Sequence, residues 1–562
     1  MRRMLALLLL VATPLLAASR EPVRARRAMV ASTSEFASRA GVEVMKKGGN
    51  AVDAAVAVGL ALAVTWPAAG NIGGGGFMLI RNADGSAEVI DYRGTAPAAA
   101  RRDMYLDAEG KVIPKLSTFG HKASAVPGTI AGLQLAHQRH GKLKWAEVVE
   151  PARRLAAEGF LVSDFLARAM TYRTSLDRLE LTAESRRIFL RDGRYYQPGE
   201  TFVQPDLAKT LTRIKANPRE FYEGETARLL VAEAQRGGGI LTLEDLKKYA
   251  PIVRTPVRGS YRGVELLTLP PPSAGGTTLL EMLNILEAYD LKAMGWHSAA
   301  YIHTVVEAMR RAFADRAQFL ADPAFTTVPV AGLISKEYAA VRRKTIDPNK
   351  ASRSQDIRAG EPLAEPMETA HFSIVDGEGN VVSNTYTINN WWGNGVTVTG
   401  AGFLLNDDMD DFTVKPGVAN EFQLIQGEQN AIAPNKRPLS SMSPIIAVKD
   451  GKPWFAVGSP GGPRIINTVL QFVLNVVDFD MNPAQAVEAH RFHHQWMPDE
   501  IYWEPFGINP DSRARLEALG HKFREKPETL GIGEAAAVLI DLKTGERLGG
   551  ADSRRDGAAI GW

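Results

Sequence analysis

Residues 369 to 389, TAHFSIVDGEGNVVSNTYTIN, constrain the fold more than any other stretch of this 562-residue chain. Thr369 to Val375 is rich in strand formers, Asp376 to Asn380 is a cluster of turn residues, and Val381 to Asn389 reads as a second strand. Pairing Val375 with Val381 across the loop runs back along both strands and sets Thr369 opposite Thr387. Side chains alternate along a strand, so Thr385, Thr387 and Asn389 share one face. A slip of one residue would undo that pairing. Taken alone, the hairpin is better read as a hydrated, threonine-rich outer strand, and the rest of the chain has to decide.

Helical patterns cover Phe36 to Lys47 and Ala51 to Val64, the second built from Ala and Val and therefore tightly packed. A glycine turn, Gly73 to Gly76, then feeds a strand, and Glu88 to Tyr92 forms another. Helices are expected at Trp145 to Glu158, Leu207 to Lys215, Thr277 to Tyr289 and Ala299 to Leu320. Lys350 to Glu368 is polar, holds two prolines and has no period, which predicts a mobile segment. Beyond the hairpin come strands at Ile445 to Val448 and Trp454 to Val457 and a helix at Ile465 to Val477. A strand pair, Ala536 to Asp541 and Glu546 to Gly549, closes the pattern. Length alone suggests roughly three or four domains. Blocks of helices and strands, without βαβ alternation, point to layers.

Several functions are excluded by composition. The chain has no cysteine, so disulfides, thiolate catalysis and Cys-ligated zinc are ruled out. Its net charge is +3 with no Lys/Arg block, so nucleic acid is not an implied partner. The start, MRRMLALLLLVATPLLAAS, has the basic, apolar and small-residue order of a secretory signal peptide, predicted to be cut near Ala18 or Ser19. No later segment is apolar for long enough to span a bilayer.

GNIGGGG lacks the Lys-Ser/Thr of a phosphate loop, and its glycines are expected to permit close backbone approach instead. His490, His493 and His494 lie close together, but HExxH and a third-ligand spacing are absent. His371 lies on the face of Thr369; a histidine there is more often a hydrogen-bonded core residue than a base. Polar density marks three other stretches: LLNDDMDDF, NKRPLSSMSP and GSPGGPR.

Together with LPPPSAGG, TAHFSIVDGEGN, TYTIN and RFHHQW, these motifs resemble the γ-glutamyltranspeptidases, or glutathione hydrolases, from about residue 28 to the C-terminus. The resemblance implies an α+β fold, the αββα four-layer sandwich of the N-terminal-nucleophile hydrolases. It also implies a precursor that cuts itself between Glu368 and Thr369. A signal peptide (1–19) would then precede a large chain (20–368) and a small chain (369–562), paired as a heterodimer.

On the same resemblance, Thr369 is the nucleophile, its own α-amino group the base, and Thr387 its hydrogen-bonding neighbour. Arg93, Ser440 and Ser441 match groups that bind the substrate α-carboxylate. Asn389, Asp408 and Asp411 match those around its α-amino group, and Gly461 and Gly462 match the oxyanion hole. No cofactor or metal is implied. Substrates would be glutathione and other γ-glutamyl compounds, with water, amino acids or dipeptides as acceptors, in the periplasm or outside the cell.

Two departures stand out. Asp408 replaces a longer Gln or Glu, and Phe422 replaces a tyrosine in the lid spanning about Pro416 to Gly427, which predicts a less firmly held lid. The alternatives are a glutaryl-cephalosporin acylase of the same family and an inert periplasmic protein that binds γ-glutamyl compounds.

Overall fold

The computed structural model describes residues 20–362 and 372–562. The expected signal peptide, Thr369, His371 and the Glu368–Thr369 bond lie outside the described residues.

Two seven-stranded antiparallel sheets form the centre. In the first, the strands run Val23–Ala25, Arg547–Ala551, Ala536–Ile540, Lys452–Gly458, Ile445–Lys449, Val264–Thr268, Val257–Tyr261. In the second, they run Ala558–Gly561, Met29–Ser32, Phe372–Val375, Val381–Thr387, Gly75–Arg81, Ala87–Tyr92, Ile252–Arg254. Each sheet draws strands from both ends of the chain, so the several domains suggested by length are one sandwich.

Strand periodicity sorts the side chains into layers. Ile446 and Val448 meet Phe77, Leu79 and Val381 between the sheets. Ile445 and Ala447 point the other way, onto a helical layer containing Leu283, Val305 and Val469. Val382 and Tyr386 likewise leave the second sheet to pack under Ala54, Val58 and Leu133. The result is the expected αββα order.

The Ala/Val-rich helix is observed as Ala51–Thr65, and all its residues are buried. A helix that is apolar all round can be stable only when covered on every side. The Asn50 side chain accepts from Val52 N and Asp53 N, and Asp53 accepts from Asn50 N, closing a capping box at its start.

The predicted hairpin register holds wherever it is described: Val375 faces Val381, and Phe372 faces Asn384. The pairing of Thr369 with Thr387 lies outside the described residues. The hairpin is not a hydrated outer strand, because both arms are interior to the second sheet and buried. Its hydroxyls are satisfied across the sandwich: Ser373 donates to Ala536 O and Ser383 to Ile445 O, each at 3.2 Å.

The expectation of a mobile segment from Lys350 also fails over its described part. Ala351 N donates to Leu519 O at 2.8 Å, Ser354 N to Asp499 at 2.9 Å, and Gly360 N to Asp315 at 2.7 Å. Trp496 Nε1 donates to the carbonyls of Ser354 and Ile357. The segment's backbone is held by Asp315, Asp499 and Trp496, while Arg353, Gln355, Asp356 and Arg358 face solvent.

Strands Val257–Tyr261 and Val264–Thr268, and the edge strand Ala558–Gly561, carried no clear sequence signal. Among the described residues, no helix is long and apolar enough to cross a membrane.

Candidate active site

A cavity of about 310 Å³ opens where the strand Val381–Thr387 ends, and Thr385, Thr387 and Asn389 line it. A cavity of about 450 Å³ lies elsewhere, beside Phe36 and Gly550, but none of the predicted site residues lines it, so volume does not decide.

The strand ends in a sharp reversal. Thr387 Oγ1 accepts from Asn389 N at 2.9 Å, and Asn389 takes a positive φ of 74°, which asparagine tolerates better than most residues. The four glycines of Gly73–Gly76 explain how neighbouring chains come so close. A Cβ on Gly73 would collide with Leu404 O, and one on Gly74 with Thr387 O. Close backbone approach, as expected, is their role.

Asp408 and Asp411 lie on a 3₁₀ turn, Asp408–Asp411, and both bear on Arg93 just beyond the strand Ala87–Tyr92. Arg93 Nη1 is 3.0 Å from Asp408 Oδ2, and Nη2 pairs with Asp411 Oδ2. The guanidinium and Asp408 are fully buried, and neither lines the cavity; Asp411 does. Arg93 therefore stands behind the acids instead of facing the cavity, and is paired with both of them. Burial pushes the Asp408 carboxyl up to about 6 and Asp411 up to about 7, with Arg93 opposing both shifts.

Ser440 and Ser441 line the cavity beside Asp411. Ser440 is held by backbone bonds to the LPPPSAGG turn: its N donates to Pro272 O, and its O accepts from Ala274 N, both at 2.8 Å. Ser441 Oγ accepts from Arg316 Nη2 at 2.8 Å.

Gly461 and Gly462, at φ 132° and 58°, stand just before the helix Arg464–Val477. Their N–H groups donate to no acceptor among the described residues. Free amides at a helix N-terminus favour negative charge. A Cβ on Gly462 would lie 2.9 Å from Phe422 Cδ1, so the lid phenylalanine packs flat on this turn.

The lid is not loose. Glu421 N donates to Asp410 at 3.0 Å, Gln495 Nε2 donates to Phe422 O at 3.1 Å, and Asn420 Oδ1 accepts from Phe422 N and Leu424 N. Asn389 Nδ2 donates to Asp407 O at 3.0 Å. Backbone and amide contacts replace the missing phenol.

Thr387, Asn389, Asp411, Ser440, Ser441, Gly461 and Gly462 thus meet at one cavity, with Arg93 and Asp408 behind it. Sequence reasoning missed Asp407, which accepts from both N and Nδ2 of Asn390 and is paired with Arg178 at 3.2 Å. It also missed Arg316. Asp407 stood within the acidic motif; Arg316, inside a long helix, carried no local signal. The three RFHHQW-region histidines do not converge: His493 is bonded to Asn467 and Gln495, and His494 faces Asp499.

Residues 37–562 match the family model described as Gamma-glutamyltranspeptidase. The chain is 48% identical to the Glutathione hydrolase proenzyme of Escherichia coli strain K12, over 95% of this chain and 91% of that protein. It is 39% identical to the Acylase ACY 1 proenzyme of Pseudomonas sp. strain V22, over 96% and 94%. The solved cephalosporin acylase from Bacillus halodurans superposes with a TM-score of 0.87 at 29% identity, covering 99% of each chain.

Proposed function

This chain belongs to the γ-glutamyltranspeptidase family, and from that premise we propose that it is a γ-glutamyltransferase and glutathione hydrolase whose precursor cuts itself before Thr369. The observation that carries the reading is that one cavity is lined both by Asp411, Ser440 and Ser441, suited to an α-amino acid head group, and by Gly461 and Gly462, whose free amides suit an oxyanion.

In this reading Thr369 Oγ1 attacks the γ-carbonyl, its proton passing to the Thr369 α-amino group. Such amines titrate near about 7.7–8.0, so a useful fraction is neutral at physiological pH. The Gly461 and Gly462 amides hold the oxyanion, and collapse expels the amine, cysteinylglycine for glutathione. Water then hydrolyses the γ-glutamyl ester, or an amino acid or dipeptide takes the acyl group. Large (20–368) and small (369–562) chains remain together. The basic and apolar start supports export to the periplasm or the medium.

The acylase reading draws support from the Bacillus halodurans likeness. A glutaryl group differs from γ-glutamyl by lacking the ammonium. Asp411, at the cavity wall, then has no ammonium to meet and keeps only Arg93 as its charged partner, so a glutaryl group gains nothing from it. We expect the processed enzyme to cleave γ-glutamyl-p-nitroanilide with a kcat/KM roughly 10⁴-fold above glutaryl-p-nitroanilide. Glycylglycine should accelerate release of p-nitroaniline. Equal rates on the two anilides would establish the acylase; a processed protein inert on both would be a binding protein.

A further inference from the structure

Two buried arginines, buried Asp408 and partly buried Asp411 stand beside Ser441 and the cavity, and they are not equally engaged. Arg93 is committed: Nη1 to Asp408, Nη2 to Asp411 and Nε to Pro438 O at 3.4 Å. Arg316, on the helix Ala299–Phe319, is 2% exposed. Its one hydrogen bond among the described residues is the 2.8 Å bond from Nη2 to Ser441 Oγ, and its Nε and Nη1 have no partner. Burial pulls the Arg316 guanidinium down to about 10, with Asp411 opposing, so it stays charged at neutral pH.

A guanidinium withdrawn from water with one hydrogen bond among the described residues, and Asp411 as its opposing charge, is under-satisfied, which calls for a further partner. The chemistry of its one bond says what kind. Arginine donates and cannot accept, so Ser441 Oγ is the acceptor and its proton must point elsewhere. Ser441 lines the cavity. The arrangement therefore presents an O–H polarised by a cation to whatever occupies the cavity beside it. A carboxylate answers both features, accepting the proton and supplying the missing negative charge.

We propose that Arg316 is the positioning residue for the α-carboxylate of the donor. Through Ser441 it turns a hydroxyl donor into the cavity, and its charge adds to that of Arg93, which is already paired with Asp408 and Asp411. The head-group site is then balanced as built, two cations against two anions, and suits a zwitterion: ammonium at Asp411, carboxylate at Ser441. The same helix end also carries the lid, since Ala317 O accepts from Gly427 N at 3.1 Å and from Gln429 Nε2 at 2.9 Å. Carboxylate reading and lid placement share one rigid element.

The inference rests on the γ-glutamyl reading, and the test separates the two. L-Glutamate and 4-aminobutyrate differ by the α-carboxylate alone, and each is measured as a competitive inhibitor of γ-glutamyl-p-nitroanilide hydrolysis. Wild-type turnover of that anilide checks the reading itself. Arg316→Gln should raise the Ki of glutamate and the KM of the donor by at least tenfold, leaving kcat within about threefold and the Ki of 4-aminobutyrate unchanged. Arg316→Lys, which keeps the charge and is the milder change if the glutamine variant fails to fold, should raise the glutamate Ki several-fold. Ser441→Ala should do the same, and combining it with Arg316→Lys should give less than the product of the two effects. Equal shifts for both inhibitors, or none in the Lys and Ala variants, would overturn the proposal.

Discussion

Asp411 shows how one side chain can tie substrate binding to pH. Burial raises its carboxyl to about 7 and that of Asp408 to about 6, against the pull of Arg93. Below that range Asp411 takes up a proton and loses the charge that would hold an ammonium. The Ki of L-glutamate should therefore rise as pH falls from 8 to 5.5, approaching tenfold per unit below the Asp411 value. Asp411→Asn should bind glutamate weakly and independently of pH over the same range. A wild-type Ki that is flat across this window would remove Asp411 from the head-group site. The stability sign is opposite to that of an ordinary paired acid. A carboxyl raised above its unfolded value of about 3.9 favours the fold below that value, and its contribution is lost as pH rises through about 7. Acid unfolding, if observed, must come from groups such as Glu307, whose carboxyl is held down to about 2: burial opposes ionisation, but Arg310 and Arg311 outweigh it.

At the scale of the element, the segment before the proposed cut is the informative one. From Ala351 to Gly360 it is fastened at both ends, to Leu519 of the small chain and to Asp315 of the large one. Trp496 Nε1 closes two of its carbonyls, Ser354 O at 2.7 Å and Ile357 O at 3.0 Å. Trp496→Phe keeps an aromatic ring but removes the one N–H that both carbonyls share, at about 1 kcal/mol of net stability, along with part of the indole packing. We expect precursor processing to slow several-fold, followed as loss of the full-length band on a denaturing gel, with kcat of the finished enzyme little changed. Processing at the wild-type rate would show that the tether does not guide the cut. The sequence displayed this stretch as polar and aperiodic, which is also how solvated loops look. What distinguishes a fastened segment is the set of partners, Asp499, Trp496 and Asp315, and these lie far off along the chain.

For the whole molecule, the decisive fact is that neither proposed chain owns a sheet. The first sheet takes Val23–Ala25, Val257–Tyr261 and Val264–Thr268 from the large chain and its other strands from the small one. The second takes Phe372–Val375, Val381–Thr387 and Ala558–Gly561 from the small chain. Separation would expose the apolar surface between the layers and leave open strand edges. With no cysteine in the chain, association rests on non-covalent contacts: this burial, the shared strand ladders and ion pairs such as Arg178 with Asp407. The processed enzyme should elute as one species in native size exclusion and run as two bands on a denaturing gel without reductant. Fragments 20–368 and 369–562 expressed apart should each lack near-ultraviolet circular dichroism. A large fragment with native dichroism on its own would contradict the shared-sheet account.

Local chemistry lay open in the sequence: the hairpin register, the Ala/Val helix and the need for glycine at Gly73 to Gly76 each depend on neighbours a few positions away, on strand alternation, helical period or turn preference. The motif residues that gather at the cavity were legible through the family resemblance. Tertiary structure decided what depends on distant partners. It turned an apparently outer, hydrated hairpin into the middle of a sheet and pinned a segment that looked mobile. It also set Arg93 behind two carboxylates and brought Arg316 from the middle of a helix to within 2.8 Å of Ser441. A side chain's identity fixes which bonds it can make, and the fold alone fixes which partners come within reach and how much water stands between them.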